Sequence, residues 1–143
     1  MSGRPSTLLA FDYGDIRIGV AVGQTVTATA SPLTSVRVRG RCPDWNTITS
    51  LVRTWEPDAL VVGLPYNMDG SDQETTHSAR RFGRQLHGRF QLPVHMVDER
   101  LTTREAKSRL AEQGDPDGDD DPVAAQVILE SWFSERASGE AAT

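Results

Sequence analysis

Residues 8–22, which read LLAFDYGDIRIGVAV, constrain the fold more than any other part of this chain. Two apolar runs flank Asp12-Tyr13-Gly14, a pattern typical of two strands that fold back on each other. Asp12 lies at the end of the first run, where an ionised carboxylate loses hydration that a strand does not replace. It should therefore be paired or bind a cation, although a turn hydrogen bond would also account for it.

The remaining periodicity predicts an α/β fold. Predicted strands cover residues 7–11, 16–22, 28–38, 59–64 and 93–97, and predicted helices cover residues 45–55, 75–90, 102–113 and 123–134. The first three strands should form an antiparallel meander, and the last two should lie parallel to the first through crossover helices. The result is a mixed five-stranded sheet flanked by helices. Ser31-Pro32 should place the third strand at an edge or break it.

Length and composition indicate one domain that covers residues 1–143, with frayed ends at 1–6 and 137–143. The chain is 37% hydrophobic and 24% charged, as is usual for globular proteins. No apolar run is long enough to span a bilayer, and the N-terminus lacks the apolar segment of a signal peptide. We therefore expect a cytoplasmic protein without a membrane partner.

The net charge of −5 is unevenly distributed. Residues 115–121 read DPDGDDD and hold five aspartates, so the rest of the chain is neutral overall. Arginines cluster at residues 37–41, 80–84 and 100–109. Such clusters are either solvated surfaces or phosphate contacts, and composition leaves both readings open.

Three carboxylates should meet at one edge of the predicted sheet. Asp12 ends the first strand, Glu99 follows the last strand, and Asp121 opens the last helix. Ligands of such sheets lie outside the carboxyl ends of the strands, and a few carboxylates suit Mg²⁺. Two such ions can activate water for phosphodiester hydrolysis. Simpler roles remain open, since Glu99 could form a surface ion pair and Asp121 could cap a helix.

Four blocks of the sequence, in order, resemble the YqgF family, also called RuvX-like, whose members are described as Holliday junction resolvases or as nucleases of the 5′ end of pre-16S rRNA. The blocks are Phe11-Asp12-Tyr13-Gly14 with residues 18–22; residues 61–65 with Asn67-Met68-Asp69-Gly70; residues 98–103 with Glu105-Ala106; and Asp121 ahead of Ala124-Ala125 and Ile128-Leu129. The match extends over nearly the whole length.

This resemblance implies an RNase H-like fold and a nuclease that uses Mg²⁺ or Mn²⁺. It implies that Asp12, Glu99 and Asp121 are the catalytic and metal-binding residues, with Asp119 and Asp120 as alternatives for the third position. We expect substrate contacts from Arg17, Asn67, Arg100 and Arg104. Two departures from the family pattern bear on substrate binding: Asp15-Ile16 replaces a hydroxyl residue and a basic residue, and the loop before Asp121 is acidic.

The expected substrate is nucleic acid: structured precursor rRNA, either free or within ribosomal precursor particles, or branched DNA. The protein should be a monomer or a weak homodimer, and a resolvase would need two-fold symmetry. A non-catalytic RNA-binding or ribosome-binding module is a further alternative that the Asp15 departure keeps open. An actin-like ATPase shares the Asp-x-Gly hairpin, but it requires a second domain and a second phosphate loop.

Overall fold

The structure is a computed structural model that describes residues 6–99 and 121–142, with side chains described for 6–99 and 121–135. The predicted helix 102–113, Arg100, Arg104 and most of the acidic loop lie outside these residues. No helix within the described ranges is long and apolar enough to cross a membrane.

One six-stranded mixed sheet organises the described residues, in the order β4-β3-β2-β1-β5-β6. The strands are β1 (Thr7–Asp12), β2 (Arg17–Gln24), β3 (Thr29–Arg39), β4 (Cys42–Pro43), β5 (Ala59–Leu64) and β6 (Val94–Asp98), and the helices are α1 (Trp45–Trp55), α2 (Glu74–Phe90) and α3 (Asp121–Ala142). Strands β1, β2 and β3 pair antiparallel, while β1, β5 and β6 pair parallel. The predicted meander followed by parallel strands is confirmed.

The predicted number of five strands is wrong, because the two-residue strand β4 adds a sixth. A tight turn at Gly40 and Arg41, both with positive φ, folds β4 back onto the end of β3. Positive φ at both central residues is typical of a type I′ hairpin turn, which suits the twist of paired strands. A two-residue strand has no periodicity, and the arginines around the turn were interpreted only as a charge cluster.

Helix α1 matches its predicted bounds because local signals define both ends. The Asp44 carboxylate accepts hydrogen bonds from the main-chain N–H and the hydroxyl of Thr47, and Pro57 follows the helix. The last helix is longer than the predicted 123–134, since α3 begins at Asp121 and ends at Ala142. The backbone of residues 137–142, which we expected to be frayed, is therefore helical.

The two faces of the sheet carry different cores. On one face, α1 and α2 pack on large side chains around Phe82, whose ring centroid lies 5.5 Å from that of Phe11 and 5.6 Å from that of Trp45. On the other face, α3 packs on small residues such as Ala10 and Ala21. Small side chains allow close approach, so the first turn of α3 lies directly on the sheet.

Candidate active site

The carboxyl ends of β1, β5 and β6 meet at one edge of the sheet, as the topology predicted. Asp12 is the last residue of β1, and Asp98 is the last residue of β6, with Glu99 immediately after it. Side chains alternate between the faces of a strand, so Asp12 shares the face of Leu8 and Ala10, on which α3 packs. The site therefore lies at this edge, on the α3 side.

Asp12 and Glu99 form a hydrogen-bonded pair of carboxyl groups, and both side chains are half-buried. Burial raises the pKa of Asp12, while the hydrogen bond with Glu99 lowers it in part. Burial also raises the pKa of Glu99, and the hydrogen bond to Asp12 and the charges of Asp12 and Asp98 raise it further. Without a cation, Glu99 is therefore the protonated partner at neutral pH and donates to Asp12.

Gly63 in β5 makes room for Glu99. A Cβ atom on Gly63 would lie 2.8 Å from Cγ and 2.9 Å from Oε1 of Glu99, and 2.5 Å from Cδ1 of Ile128. All three distances are shorter than ordinary contacts, so a side chain at this position would displace either Glu99 or α3. Gly63 thus lets the Glu99 side chain lie flat across β5 towards Asp12.

Gly19 makes room for Asp121 in the same way. It is the cross-strand partner of Asp12, and a Cβ atom on Gly19 would overlap the main-chain carbonyl group of Asp121. The start of α3 is therefore pressed onto the strand position beside Asp12. Nε of Arg17 donates to Oδ2 of Asp121 at 2.9 Å, and the Arg17 side chain is 60% exposed.

The donor set fits a hard divalent cation in type, because it consists of carboxylate oxygens. The three predicted ligands are not all close together in the structure. Among the described ranges, no three Asp, Glu, His or Cys side chains are close enough to hold a metal ion. Asp12 and Glu99 face each other, whereas one carboxylate oxygen of Asp121 is turned to Arg17. The structure brings together two of the three predicted ligands and places the backbone of the third beside them.

Asn67, a predicted substrate contact, stabilises the loop after β5 through the hydrogen bonds of its side chain. Its side-chain amide donates to Oγ of Ser71 at 2.9 Å and to the carbonyl of Asp72 at 3.4 Å. The Asp69 carboxylate accepts hydrogen bonds from the main-chain N–H and the hydroxyl of Ser71, as is typical of an aspartate in a turn. The loop is thus stabilised by its own side chains at the same edge of the sheet.

Sequence reasoning overlooked the two glycines that shape the site. Gly19 and Gly63 each interrupt an apolar strand segment, and a glycine inside a strand often marks the close approach of another group. That signal was available in the sequence, but it does not reveal which group approaches. The predicted contacts Arg100 and Arg104 lie outside the described residues.

Comparison with known proteins gives the following relatives. The sequence pattern of a family described as "RuvX: Holliday junction resolvase" matches residues 6–135. A protein of Azotobacter vinelandii is 52% identical over 143 residues, covering 97% of this chain and 100% of its own length. One of Nitrosococcus oceani is 52% identical over 136 residues, covering 93% of this chain and 90% of its own length. Both are named "Putative pre-16S rRNA nuclease".

Solved structures agree with the predicted RNase H-like fold. The structure of T. thermophilus RuvC in complex with a Holliday junction substrate aligns with a TM-score of 0.58 and 15% identity, over 92% of this chain and 96% of that one. A Fowlpox virus resolvase bound to Holliday junction DNA aligns with a TM-score of 0.58 and 8% identity, over 91% and 98%. At such low identities, these likenesses concern the fold.

Proposed function

The chain belongs to the RuvX family of Holliday junction resolvases, and we propose that it is a divalent-metal-dependent endonuclease that processes the 5′ end of pre-16S rRNA in the cytoplasm. The observation that carries this proposal is the half-buried, hydrogen-bonded pair of Asp12 and Glu99 at the carboxyl edge of the sheet. Two acidic groups held side by side with little access to water oppose folding unless they share a proton or a cation, and such pairs are concentrated at functional sites.

In this proposal, Asp12, Glu99 and Asp121 hold Mg²⁺ or Mn²⁺. When bound, the metal would lower the pKa of the attacking water and stabilise the leaving oxygen. For the protein to supply three carboxylates, Glu99 must release its proton and one oxygen of the Asp121 carboxylate must turn to the cation. Arg17 is exposed beside the site and can then contact a substrate phosphate.

A branched DNA substrate is the second candidate, because the family is described by Holliday junction resolution. The reaction is the same in both cases, since water adds to phosphorus and the phosphodiester bond breaks. A symmetric junction calls for two active sites related by a two-fold axis, whereas an RNA leader can be cut by a monomer. We propose RNA as the substrate because relatives that are 52% identical to this chain are named "Putative pre-16S rRNA nuclease".

The test is cleavage of a pre-16S 5′ leader RNA and of a four-way DNA junction, each with Mg²⁺, Mn²⁺ or EDTA. Asp12→Asn keeps the shape of the side chain and removes one ligand charge, so cleavage should fall at least about 100-fold while the fold is retained. Glu135→Gln is the control, because Glu135 is an exposed residue of α3. Cleavage by Asp12→Asn at the parental rate would refute the assignment of the site.

A further inference from the structure

A basic groove lies on the α2 side of the sheet and belongs to neither the core nor the proposed metal ligands. It has a volume of about 260 Å³ and is lined by Arg41, Glu74, His77, Ser78, Arg81 and Arg84. Arg41 comes from the turn between β3 and β4, and the other residues come from the first two-thirds of α2. Cationic side chains from two elements therefore converge on one open groove.

Arg81 and Arg84 differ from the other arginines of α2 in what they contact. Arg80 donates two hydrogen bonds to the Asp72 carboxylate, at 2.7 Å and 3.1 Å, and Arg89 stacks on the Trp45 ring at 4.1 Å. Those two arginines stabilise the fold. Arg81 and Arg84 are exposed, and neither donates a hydrogen bond or forms an ion pair with any residue in 6–99 or 121–135.

The charge of the groove is only partly balanced by its own surroundings. Glu74 accepts a hydrogen bond from Arg41 at 3.0 Å, and Nε2 of His77 lies 3.7 Å from the Asp72 carboxylate that Arg80 already binds. Both of these contacts are exposed and therefore weak. Glu74 is the one carboxylate among the lining residues, and no carboxylate of the described residues forms an ion pair with Arg81 or Arg84. An anion that enters the groove therefore meets a net positive surface.

The groove lies next to the proposed cleavage site. The Tyr13 ring lies 5.3 Å from the Phe82 ring of α2, centroid to centroid, and Phe82 directly follows Arg81 in the chain. Tyr13 directly follows Asp12 in the chain and points to the opposite face of the sheet. The acidic pair and the groove thus flank the same end of β1.

We propose that the groove formed by Arg41, His77, Ser78, Arg81 and Arg84 binds the phosphodiester backbone of the nucleic acid and directs it across the end of β1 to the acidic pair. The inference rests on the proposed nuclease function and adds a binding surface to it. Backbone binding is independent of base sequence, and Arg81 and Arg84 would each neutralise one phosphate.

The experiment measures binding and cleavage separately. Binding of fluorescent leader RNA and of a four-way DNA junction is followed by anisotropy in EDTA across a salt series, and cleavage is measured with Mg²⁺. Arg81→Ala/Arg84→Ala should weaken binding roughly 30-fold at about 0.1 M salt. It should also reduce the steepness with which the logarithm of the association constant falls with the logarithm of the salt concentration, by about 1.5. Arg81→Lys/Arg84→Lys keeps both charges and should keep most of the slope.

Arg53→Glu is the charge-matched control for Arg81→Glu. Arg53 is exposed near the end of α1, which leads into the start of β5 at the opposite edge of the sheet. Arg81→Glu should weaken binding more than tenfold, and Arg53→Glu less than twofold. Equal effects of these two variants, an unchanged salt slope in the double alanine variant, or no binding by the parent would overturn the proposal.

The outcomes separate this inference from the proposed function. A parent that binds nucleic acid through Arg81 and Arg84 but does not cleave it in any metal would support the groove and refute the nuclease. A parent that cleaves, with the double alanine variant equal to it in binding and cleavage, would refute the groove alone. The RNA and DNA arms show which backbone the groove prefers.

Discussion

Replacing Glu99 with glutamine should stabilise the metal-free protein at neutral pH. The surroundings raise the pKa of Glu99 to about 10 from an ordinary value of 4.5. At pH 7 the folded protein therefore holds a proton that the unfolded chain lacks, and taking up that proton costs about 1.4 kcal/mol for each pH unit above 4.5, or about 3 kcal/mol. Glutamine is neutral in both states and can still donate to Asp12, so Glu99→Gln removes this cost.

The sign of the pH dependence follows from the same comparison. A group whose pKa is raised in the folded state contributes most to stability at pH values below its unfolded pKa. That stability is lost as the pH rises towards the folded pKa. The parent should lose stability relative to Glu99→Gln by at most about 1.4 kcal/mol per pH unit between pH 5 and pH 8. The two proteins should be nearly equal close to pH 4.5.

The assay is urea unfolding in EDTA at several pH values, with thermal unfolding as a second measure. Partial solvent access to the site reduces the expected gain at pH 7 to about 1–3 kcal/mol, which is roughly 4–12 °C in Tm for a chain of this size. For Glu135→Gln, the difference from the parent in the free energy of unfolding should not depend on pH. A Glu99→Gln protein that is no more stable than the parent at pH 7, or a gap that does not widen with pH, would refute proton sharing in the pair.

Two further predictions concern the shape of the site and its cation. Gly63→Ala should destabilise the protein by about 1–3 kcal/mol and reduce cleavage, because its Cβ would lie 2.8 Å from Glu99 Cγ; unfolding and cleavage assays test this. Gly88→Ala is the control, since a Cβ atom there meets nothing within 4 Å and alanine favours the helix. Mg²⁺ binding should displace the Glu99 proton. Calorimetry at pH 7 in buffers of different ionisation enthalpy should therefore detect the release of about one proton per bound ion. For the same reason, Mg²⁺ should bind more weakly at lower pH.

Local signals made much of the fold predictable. Helix α1 has a carboxylate cap and a following proline, and β5 is a continuous apolar run, so the predicted bounds of both agree with the structure. The meeting of Asp12 and Glu99 followed from strand direction alone, because parallel strands end at one edge. The direction of the strands was sufficient to predict that Asp12 and Glu99 lie together, without any knowledge of side-chain contacts.

The protonation of the pair and the roles of individual arginines could not be predicted, because both depend on distances between segments remote in sequence. The sequence shows Arg80, Arg81 and Arg84 as one cluster, but Arg80 stabilises the loop after β5 through hydrogen bonds to Asp72 and to the hydroxyl of Tyr66. Neighbouring residues on a helix thus have different roles. The positions of Asp72 and Tyr66 in the folded chain distinguish Arg80 from Arg81 and Arg84.

The contacts of the three acids indicate which step limits metal binding. The ion pair of Asp121 with Arg17 is largely exposed on the arginine side, and such pairs contribute about 1 kcal/mol or less, so Asp121 can turn to a cation at little cost. The Asp12–Glu99 hydrogen bond is buried, and breaking it at pH 7 requires that Glu99 release a proton it holds firmly. The proton on Glu99 therefore opposes the metal more strongly than Arg17 does. Because metal and proton compete for the same oxygens, the instability that the pair causes in the metal-free protein is relieved when the cation binds.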